Sequence, residues 1–174
     1  KIKKYYQAEC NINFDNCKNV EGFEDYTSKS EILNFIHSNK NNEIIISSYF
    51  RHYGKNRSQI RPITDIEKVN KYIAAKIGKS KLYSTNIKIL EKNNNSVKVE
   101  CWITQGFKHQ VRCHLAWIGL PIKNDIIYNF SDNDEVGQEI KFSATKIEFE
   151  YPEGDSNSYD FSLGPEPSAS TNSA

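Results

Sequence analysis

The residues best suited to chemistry lie close together in the segment from 106 to 128, which reads GFKHQVRCHLAWIGLPIKNDIIY. Six consecutive positions of it include His109, Gln110, Arg112 and His114. An arginine guanidinium is a planar, permanently charged fork that holds a carboxylate or a phosphate, and the imidazole and amide groups can add hydrogen bonds. The segment therefore predicts a site for an anion. His109 and His114 are five positions apart and do not share a helical face, so no zinc site is expected.

A second group of candidate residues lies in the segment RHYGKNRSQIR. The chain has 23 basic residues but only four arginines, and three of those four are in this segment. Arginine is favoured over lysine where a phosphate or carboxylate must be held in fixed geometry. We therefore predict a loop that binds a phosphate or a carboxylate, and its residues are Arg51, His52, Lys55, Arg57 and Arg61. The alternative is that these are solvated loop charges without a ligand.

Strands that could position these groups follow from hydrophobic alternation and β-branched runs. They are predicted at 3–10, 43–50, 81–92, 96–105 and 141–152. In the first strand Tyr6 and Ala8 share one face of the sheet and Tyr5 lies on the other. The fourth strand alternates strictly, and its buried face is predicted to hold Val97, Val99, Cys101 and Ile103.

Helices are predicted from capping patterns and apolar spacing. A serine or threonine followed three residues later by glutamate predicts helices over about 28–38 and 64–78. A third helix lies within the 106–119 segment, with Gly119 as its C-cap and Pro121 beyond its end. Together with the strands, these helices predict an α+β domain in which a mixed, mostly antiparallel sheet carries a few flanking helices.

The composition fits one globular domain. The chain has 174 residues, 37% of them hydrophobic, and no apolar run is long enough to span a membrane. A net charge of +1 excludes a generally basic surface, so nucleic-acid binding would depend on local clusters. The four cysteines show no CxxC spacing, and we expect reduced thiols in a cytoplasmic protein. We assign residues 1–163 to the domain and 164–174, GPEPSASTNSA, to a flexible tail.

The 106–128 segment resembles a motif of the RluA-type and RsuA-type pseudouridine synthases, T-G-R-x-H-Q-I-R-x-H-L-A-x-x-G-x-P-I-x-G-D-x-x-Y-G. The matching residues are Gly106, His109, Gln110, Arg112, His114, Leu115, Ala116, Gly119, Pro121, Ile122, Asp125 and Tyr128. KKYYQAEC is similar to the family's K-x-Y-x-A strand, FSATKIEFEYP to its L-H-A-x-x-L-x-F-x-H-P stretch, and SSYFRHYGKNRSQIRPI to its basic loop. The resemblance covers nearly all of residues 3 to 152.

The resemblance implies an isomerase that converts uridine to pseudouridine in ribosomal or transfer RNA, without a metal or an organic cofactor. By motif position, Tyr6 is the tyrosine that lies against the base and Arg112 is the arginine that pairs with the catalytic aspartate. Val111, His109 and Gln110 belong to the substrate pocket. The RNA-binding residues it implies are Arg51, His52, Lys55, Arg57, Arg61 and Lys108. The expected partner is RNA and the expected state is a monomer.

The chain departs from the family pattern at several points. Phe107 replaces the first arginine of the motif, and Asn124 and Asn129 replace glycines. An H-R-L-D segment with the catalytic aspartate is absent from the sequence. We therefore expect that aspartate upstream of Lys1, which would make this chain the C-terminal part of a catalytic domain and inactive alone.

Less specific interpretations remain beside this one. The parent protein could be a non-catalytic RNA-binding protein that retains the sheet and the basic loop, or a structural domain that binds no RNA. Tyr6 could be a core aromatic residue and Arg112 a structural ion-pair partner. The sequence does not indicate which RNA or which uridine would be the substrate.

Overall fold

The computed structural model of the chain describes residues 2–38, 43–65, 81–131, 137–150 and 156–160. These residues form one seven-stranded sheet, a 3₁₀ turn and two α-helices. The elements are β1 (Ile2–Asn11), α1 (Lys29–His37), β2 (Glu43–Tyr53), the 3₁₀ turn (Lys55–Arg57), β3 (Gln59–Ile63), β4 (Tyr83–Lys92), β5 (Ser96–Ile103), α2 (Gln110–Trp117), β6 (Phe142–Glu150) and β7 (Ser156–Asp160). The strand order is β3-β2-β4-β5-β1-β6-β7, and every described pairing is antiparallel. The α+β prediction is confirmed.

Strand β5 shows how the sequence places the core on one face of the sheet. Val97, Val99, Cys101 and Ile103 are buried, and the residues between them are partly exposed. Ala8 of β1 pairs with Val99 and is buried on the same face. Residues of both helices join these strands in one hydrophobic core. The predicted alternation is therefore confirmed.

Helix α1 begins where the capping pattern predicts, but the capping box does not form. Ser28 is the N-cap residue and makes no side-chain capping bond. Its φ of −106° and ψ of 40° depart from the extended backbone that such a bond favours. Ile32, Phe35 and Ile36 form the buried face of the helix. Packing of this face stabilises the helix in place of the cap.

Some predictions concern residues that the structure does not describe. The helix predicted over 64–78 lies outside the described residues from position 66 onward, as does the tail at 164–174. Strand β7 was not predicted from the sequence. Within the described ranges, no helix is long and apolar enough to cross a membrane.

Helix α2 ends in a Schellman motif at Gly119. The Gly119 N–H donates to the Ala116 carbonyl at 3.2 Å, and the Leu120 N–H donates to the Leu115 carbonyl at 2.9 Å. Gly119 has a φ of +85°, and a Cβ atom there would lie 2.9 Å from the Cα of Phe14. The predicted C-cap is confirmed, and the close backbone approach adds a second reason for glycine.

Buried polar bonds fix α2 on the sheet. The Nε2 atom of His114 lies 2.9 Å from the Ser48 hydroxyl on β2, and its Nδ1 atom lies 2.8 Å from the Thr85 hydroxyl on β4. The Gln110 amide donates to the Ser84 carbonyl at 2.9 Å. Burial lowers the pKa of His114 from 6.5 to about 3, so the ring is neutral at physiological pH. The helix is therefore held by neutral hydrogen bonds.

We predict that Gly119→Ala destabilises the protein more than Gly137→Ala. Both glycines have positive φ, which costs an L-residue about 1 to 2 kcal/mol, but a Cβ at Gly137 has no atom within 4 Å. At Gly119 the overlap with Phe14 adds about 1 to 3 kcal/mol. Urea unfolding followed by circular dichroism measures both losses, and equal losses would contradict the packing argument.

We also predict a stability loss in mild acid that depends on His114. Its folded pKa is below its unfolded pKa, so the unfolded chain binds the proton preferentially. This stability contribution is complete above pH 6.5 and falls as the pH decreases toward 3. Between pH 7 and pH 5 the loss from this group is about 2 kcal/mol. His114→Gln keeps hydrogen-bonding atoms without titrating, so urea unfolding should show a smaller decrease for this variant. An equal decrease would refute the assignment.

Candidate active site

Arg112 lies in the first turn of α2, and its guanidinium is paired with Asp125. The Nε atom donates to Oδ2 at 2.8 Å and the Nη2 atom donates to Oδ1 at 2.5 Å. Burial lowers the pKa of Arg112, but the hydrogen bond and charge of Asp125 outweigh it and the net pKa is raised. The sequence predicts for Arg112 either a catalytic aspartate outside this chain or a structural ion pair. The structure shows an ion pair with Asp125, an acid of the chain itself, along one edge of the guanidinium.

Asp125 is fully buried and organises the turn that follows α2. Its Oδ1 atom also accepts hydrogen bonds from the backbone N–H groups of Ile127 at 3.0 Å and Tyr128 at 3.3 Å. The hydroxyl of Tyr128 accepts a hydrogen bond from the Ile60 N–H on β3 at 3.0 Å. Burial raises the pKa of Tyr128 well above 10, so the phenol is neutral. Asp125 and Tyr128 have no assigned role among the sequence predictions, although both match the family motif.

His109 and Gln110 begin α2 but differ in accessibility. His109 has a left-handed backbone, with a φ of 56°, and its Nδ1 atom lies 3.2 Å from the Tyr128 hydroxyl. Burial, and then the charge of Arg112, lowers the pKa of His109. Gln110 is 2% exposed and its Oε1 atom accepts a hydrogen bond from the Phe107 N–H at 2.9 Å. Gln110 therefore lies in the hydrogen-bonded scaffold at the start of α2, whereas His109 is partly exposed.

Tyr6 lies on the core face of β1, and its ring is stacked on that of Phe142. The ring centroids are 5.2 Å apart and the planes differ by 10°. The pairing of β1 with β6 is irregular between Tyr5 and Tyr6, and β-bulges of this kind re-aim side chains. Burial raises the pKa of Tyr6. Val111 is 4% exposed in the core against which Tyr6 packs, so it offers little surface to a base.

The end of the β2–β3 hairpin and the start of α2 form an exposed basic surface. Lys55, Arg57 and Lys108 are exposed, and the Lys108 ammonium donates to the Arg57 carbonyl at 3.2 Å. His52 lies beside them with its ring centroid 5.4 Å from that of Phe107. Burial, and then the charges of Arg57 and Lys108, lowers the pKa of His52. The structure thus brings together four of the predicted RNA-binding residues.

Arg61 does not belong to this surface. It is 3% exposed, and its guanidinium lies 4.5 Å from the Phe23 ring and 4.1 Å from the Tyr53 ring. Its Nε atom donates to the Glu21 carbonyl at 2.9 Å. Arg51, its cross-strand partner, is half-buried 5.2 Å above the same Tyr53 ring. Stacking between two aromatic rings makes Arg61 part of the protein interior, unlike the other basic residues predicted to contact RNA at the hairpin end.

Two departures from the family motif have a local physical explanation. Phe107 replaces an arginine and packs among rings, with centroids 5.4 Å from Phe50 and 5.1 Å from Tyr83. Asn124 replaces a glycine at a φ of 60°, and asparagine tolerates this conformation better than most residues. Its amide donates to the Glu139 carbonyl at 3.0 Å. Asn124 therefore adopts a left-handed conformation in this turn without a glycine.

Two cavities of the described structure lie away from these groups. One of about 790 Å³ is lined by residues that include Ile12 and His37, and one of about 260 Å³ by residues that include Phe14 and Trp117. Neither is lined by a predicted site residue. Among the described residues, no three histidine, cysteine, aspartate or glutamate side chains converge to hold a metal ion.

Comparison with known proteins identifies the fold and the family. Human RNA pseudouridylate synthase domain containing 1 is similar in structure, with a TM-score of 0.56 and 13% identity over 93% of this chain and 55% of that one. For human RNA pseudouridylate synthase domain containing 4 the TM-score is 0.50, with 13% identity over 94% of this chain and 58% of that one. The chain thus spans little more than half the length of either structure. No curated protein sequence matches it. The family model described as RNA pseudouridylate synthase matches residues 1–117, more than half of the sequence, so the chain belongs to the RNA pseudouridylate synthase family.

Proposed function

We propose that the protein containing this chain is an RluA-type or RsuA-type enzyme that isomerises uridine to pseudouridine in ribosomal or transfer RNA. The observation that carries the proposal is the family match over residues 1–117, which includes both Tyr6 and Arg112. The reaction breaks the bond between N1 and C1′, turns the base and rejoins it through C5. Nothing is oxidised and the base is reattached, so we propose no cofactor.

We assign Tyr6 to the contact with the uracil base of the target uridine. Its pKa is raised by burial, so the phenol is neutral when it packs against the uracil ring. Phe142 supports the opposite face of the Tyr6 ring in a parallel stack. A ring held in this way keeps the detached base in a fixed orientation, which favours reattachment over release. The Tyr6 oxygen is the acceptor that we assign to the C5 proton, and the hydroxyl proton that Tyr6 already carries passes to water in the same step.

We assign Arg112 to the ion pair with the catalytic carboxylate. A carboxylate removed from water remains ionised only with a cation or donors nearby, and Arg112 supplies a cation fixed on a packed helix. We propose that an aspartate outside this sequence attacks or assists at the sugar. On this proposal the chain alone is inactive, because it lacks that acid.

The exposed basic surface supports binding of the RNA backbone. Extruding a uridine from folded RNA costs a few kcal/mol, and phosphate contacts on either side can offset that cost. We assign these contacts to Lys55, Arg57 and Lys108, with His52 beside them. We assign Arg51 and Arg61 to stabilising the β2–β3 hairpin.

We predict that Tyr6→Phe in the full-length protein lowers the rate of pseudouridine formation at least about 100-fold, since the proton acceptor is lost. RNA affinity should change little. Tyr5→Phe is the matched control, because Tyr5 lies on the other face and its hydroxyl donates to Glu148 at 2.8 Å. Carbodiimide-dependent reverse-transcription stops measure the product.

The full-length protein also separates this function from non-catalytic RNA binding. Tight, salt-dependent RNA binding without pseudouridine would favour the binding protein. Equal activity of the Tyr6→Phe and wild-type proteins would refute the role assigned to Tyr6.

We predict that Lys108→Gln weakens RNA binding and reduces the slope of log K against log salt by about 1, because one phosphate contact is lost. The control is Lys92→Gln. Lys92 is exposed at the far end of β4, roughly 30 Å along the strand from Tyr83, whose ring contacts Phe107. Fluorescence anisotropy at several salt concentrations gives both slopes. An equal effect of both substitutions would show that Lys108 acts only through net charge.

A further inference from the structure

The Arg112 guanidinium is bound along one edge and open along another. Its Nε and Nη2 atoms both donate to Asp125. Within the described part of the chain, Nη1 has no hydrogen-bond partner. The face of the group lies 5.5 Å from the centre of the Tyr128 ring, and the side chain is 17% exposed. The end of the guanidinium that carries Nη1 can therefore donate hydrogen bonds to a second anion.

Asp125 cannot turn away to release the arginine. Its side chain has no exposed surface, and its Oδ1 atom also accepts the N–H groups of Ile127 and Tyr128. The Tyr128 hydroxyl is in turn fixed by the Ile60 N–H. The Oδ1 atom thus accepts from both the backbone and Arg112, and the Oδ2 atom accepts from Arg112. This arrangement sets the plane in which the open edge of Arg112 lies.

We propose that Asp125 is a positioning residue, which orients Arg112 so that the Nη1 edge binds the catalytic carboxylate. The proposal rests on the proposed function and adds Asp125 to it. A structural ion pair would need only the Arg112–Asp125 contact. If Asp125 has a positioning role, the orientation of Arg112 must also control the ionisation of the catalytic carboxylate.

The first test uses Asp125→Asn in the full-length protein. Asparagine can keep the Oδ1 contacts with Ile127 and Tyr128, but its NH₂ group faces the Nε–H of Arg112 and cannot accept from it. Proton exchange at the Arg112 Nε–H, followed by NMR, should be slow in the wild-type protein and fast in the variant. Fast exchange in the wild-type protein would refute the fixed orientation.

The second test measures single-turnover rates across a pH series. In Asp125→Asn the rate should fall about 10- to 100-fold, because small misplacements of catalytic groups have effects of this size. The acidic limb should also move by about one pH unit, because the orientation and pairing of the Arg112 cation set how far it lowers the pKa of the catalytic carboxylate. The titratable groups facing the guanidinium are Asp125, Tyr128 and His109. A loss of stability alone would not move the limb.

Asn129→Ala is the control in the same turn. Asn129 is 8% exposed and its Oδ1 atom accepts the Ser131 hydroxyl at 2.7 Å, without contact to Arg112. After correction for folded fraction, its rate and acidic limb should match the wild type. If both variants shift the limb equally, the positioning role is refuted.

Arg112→Lys keeps the proposal testable if Asp125→Asn does not fold. An ammonium can pair with Asp125 but offers no second planar edge. The rate should fall at least about 10-fold, and a wild-type rate would refute the two-edged role.

A wild-type full-length protein that makes no pseudouridine would refute the proposed function together with this inference. An active wild-type protein whose Asp125→Asn variant keeps its rate and pH limb would refute the positioning role alone.

Discussion

The buried carboxylate of Asp125 constrains the structure around the candidate site. An ionised group removed from water is costly unless it is paired and hydrogen-bonded, so the chain must bring donors to it. Arg112 comes from α2, and the N–H groups of Ile127 and Tyr128 come from the turn. Tyr128 then reaches Ile60 on β3. One charge therefore fixes the relation between the helix, the turn and the β2–β3 hairpin, which carries most of the exposed basic surface.

Two other kinds of contact hold α2 without charge. His114 and Gln110 join it to β2 and β4 through neutral hydrogen bonds, and the buried apolar face joins it to the core. Neutral bonds tolerate burial better than an ion pair does, because no desolvated charge has to be compensated. The helix thus combines neutral bonds where it contacts the sheet with one ion pair at its more accessible side. This division leaves Arg112 partly exposed while its neighbours are buried.

Local signals in the sequence predicted much of the fold. The alternation around Val99 and the glycine at position 119 act through neighbouring residues, and both predictions are confirmed. The residue types in the arginine-rich segment did not indicate exposure. Arg61 is buried because Phe23, which lies 38 residues earlier in the sequence, covers it together with Tyr53. Such long-range packing has no local pattern, whereas the partner that Arg112 finds in Asp125 belongs to the same sequence motif.

The neighbouring tyrosines of β1 have a consequence for accurate folding. A slip of one residue in strand pairing would exchange the faces of Tyr5 and Tyr6, and a phenol would still occupy the candidate site. The slipped register would instead be destabilised further along the strand, because Glu9 would replace Ala8 or Cys10 in the core. Discrimination against the wrong register thus depends on an acidic residue remote from the chemistry, and the tyrosine itself provides none.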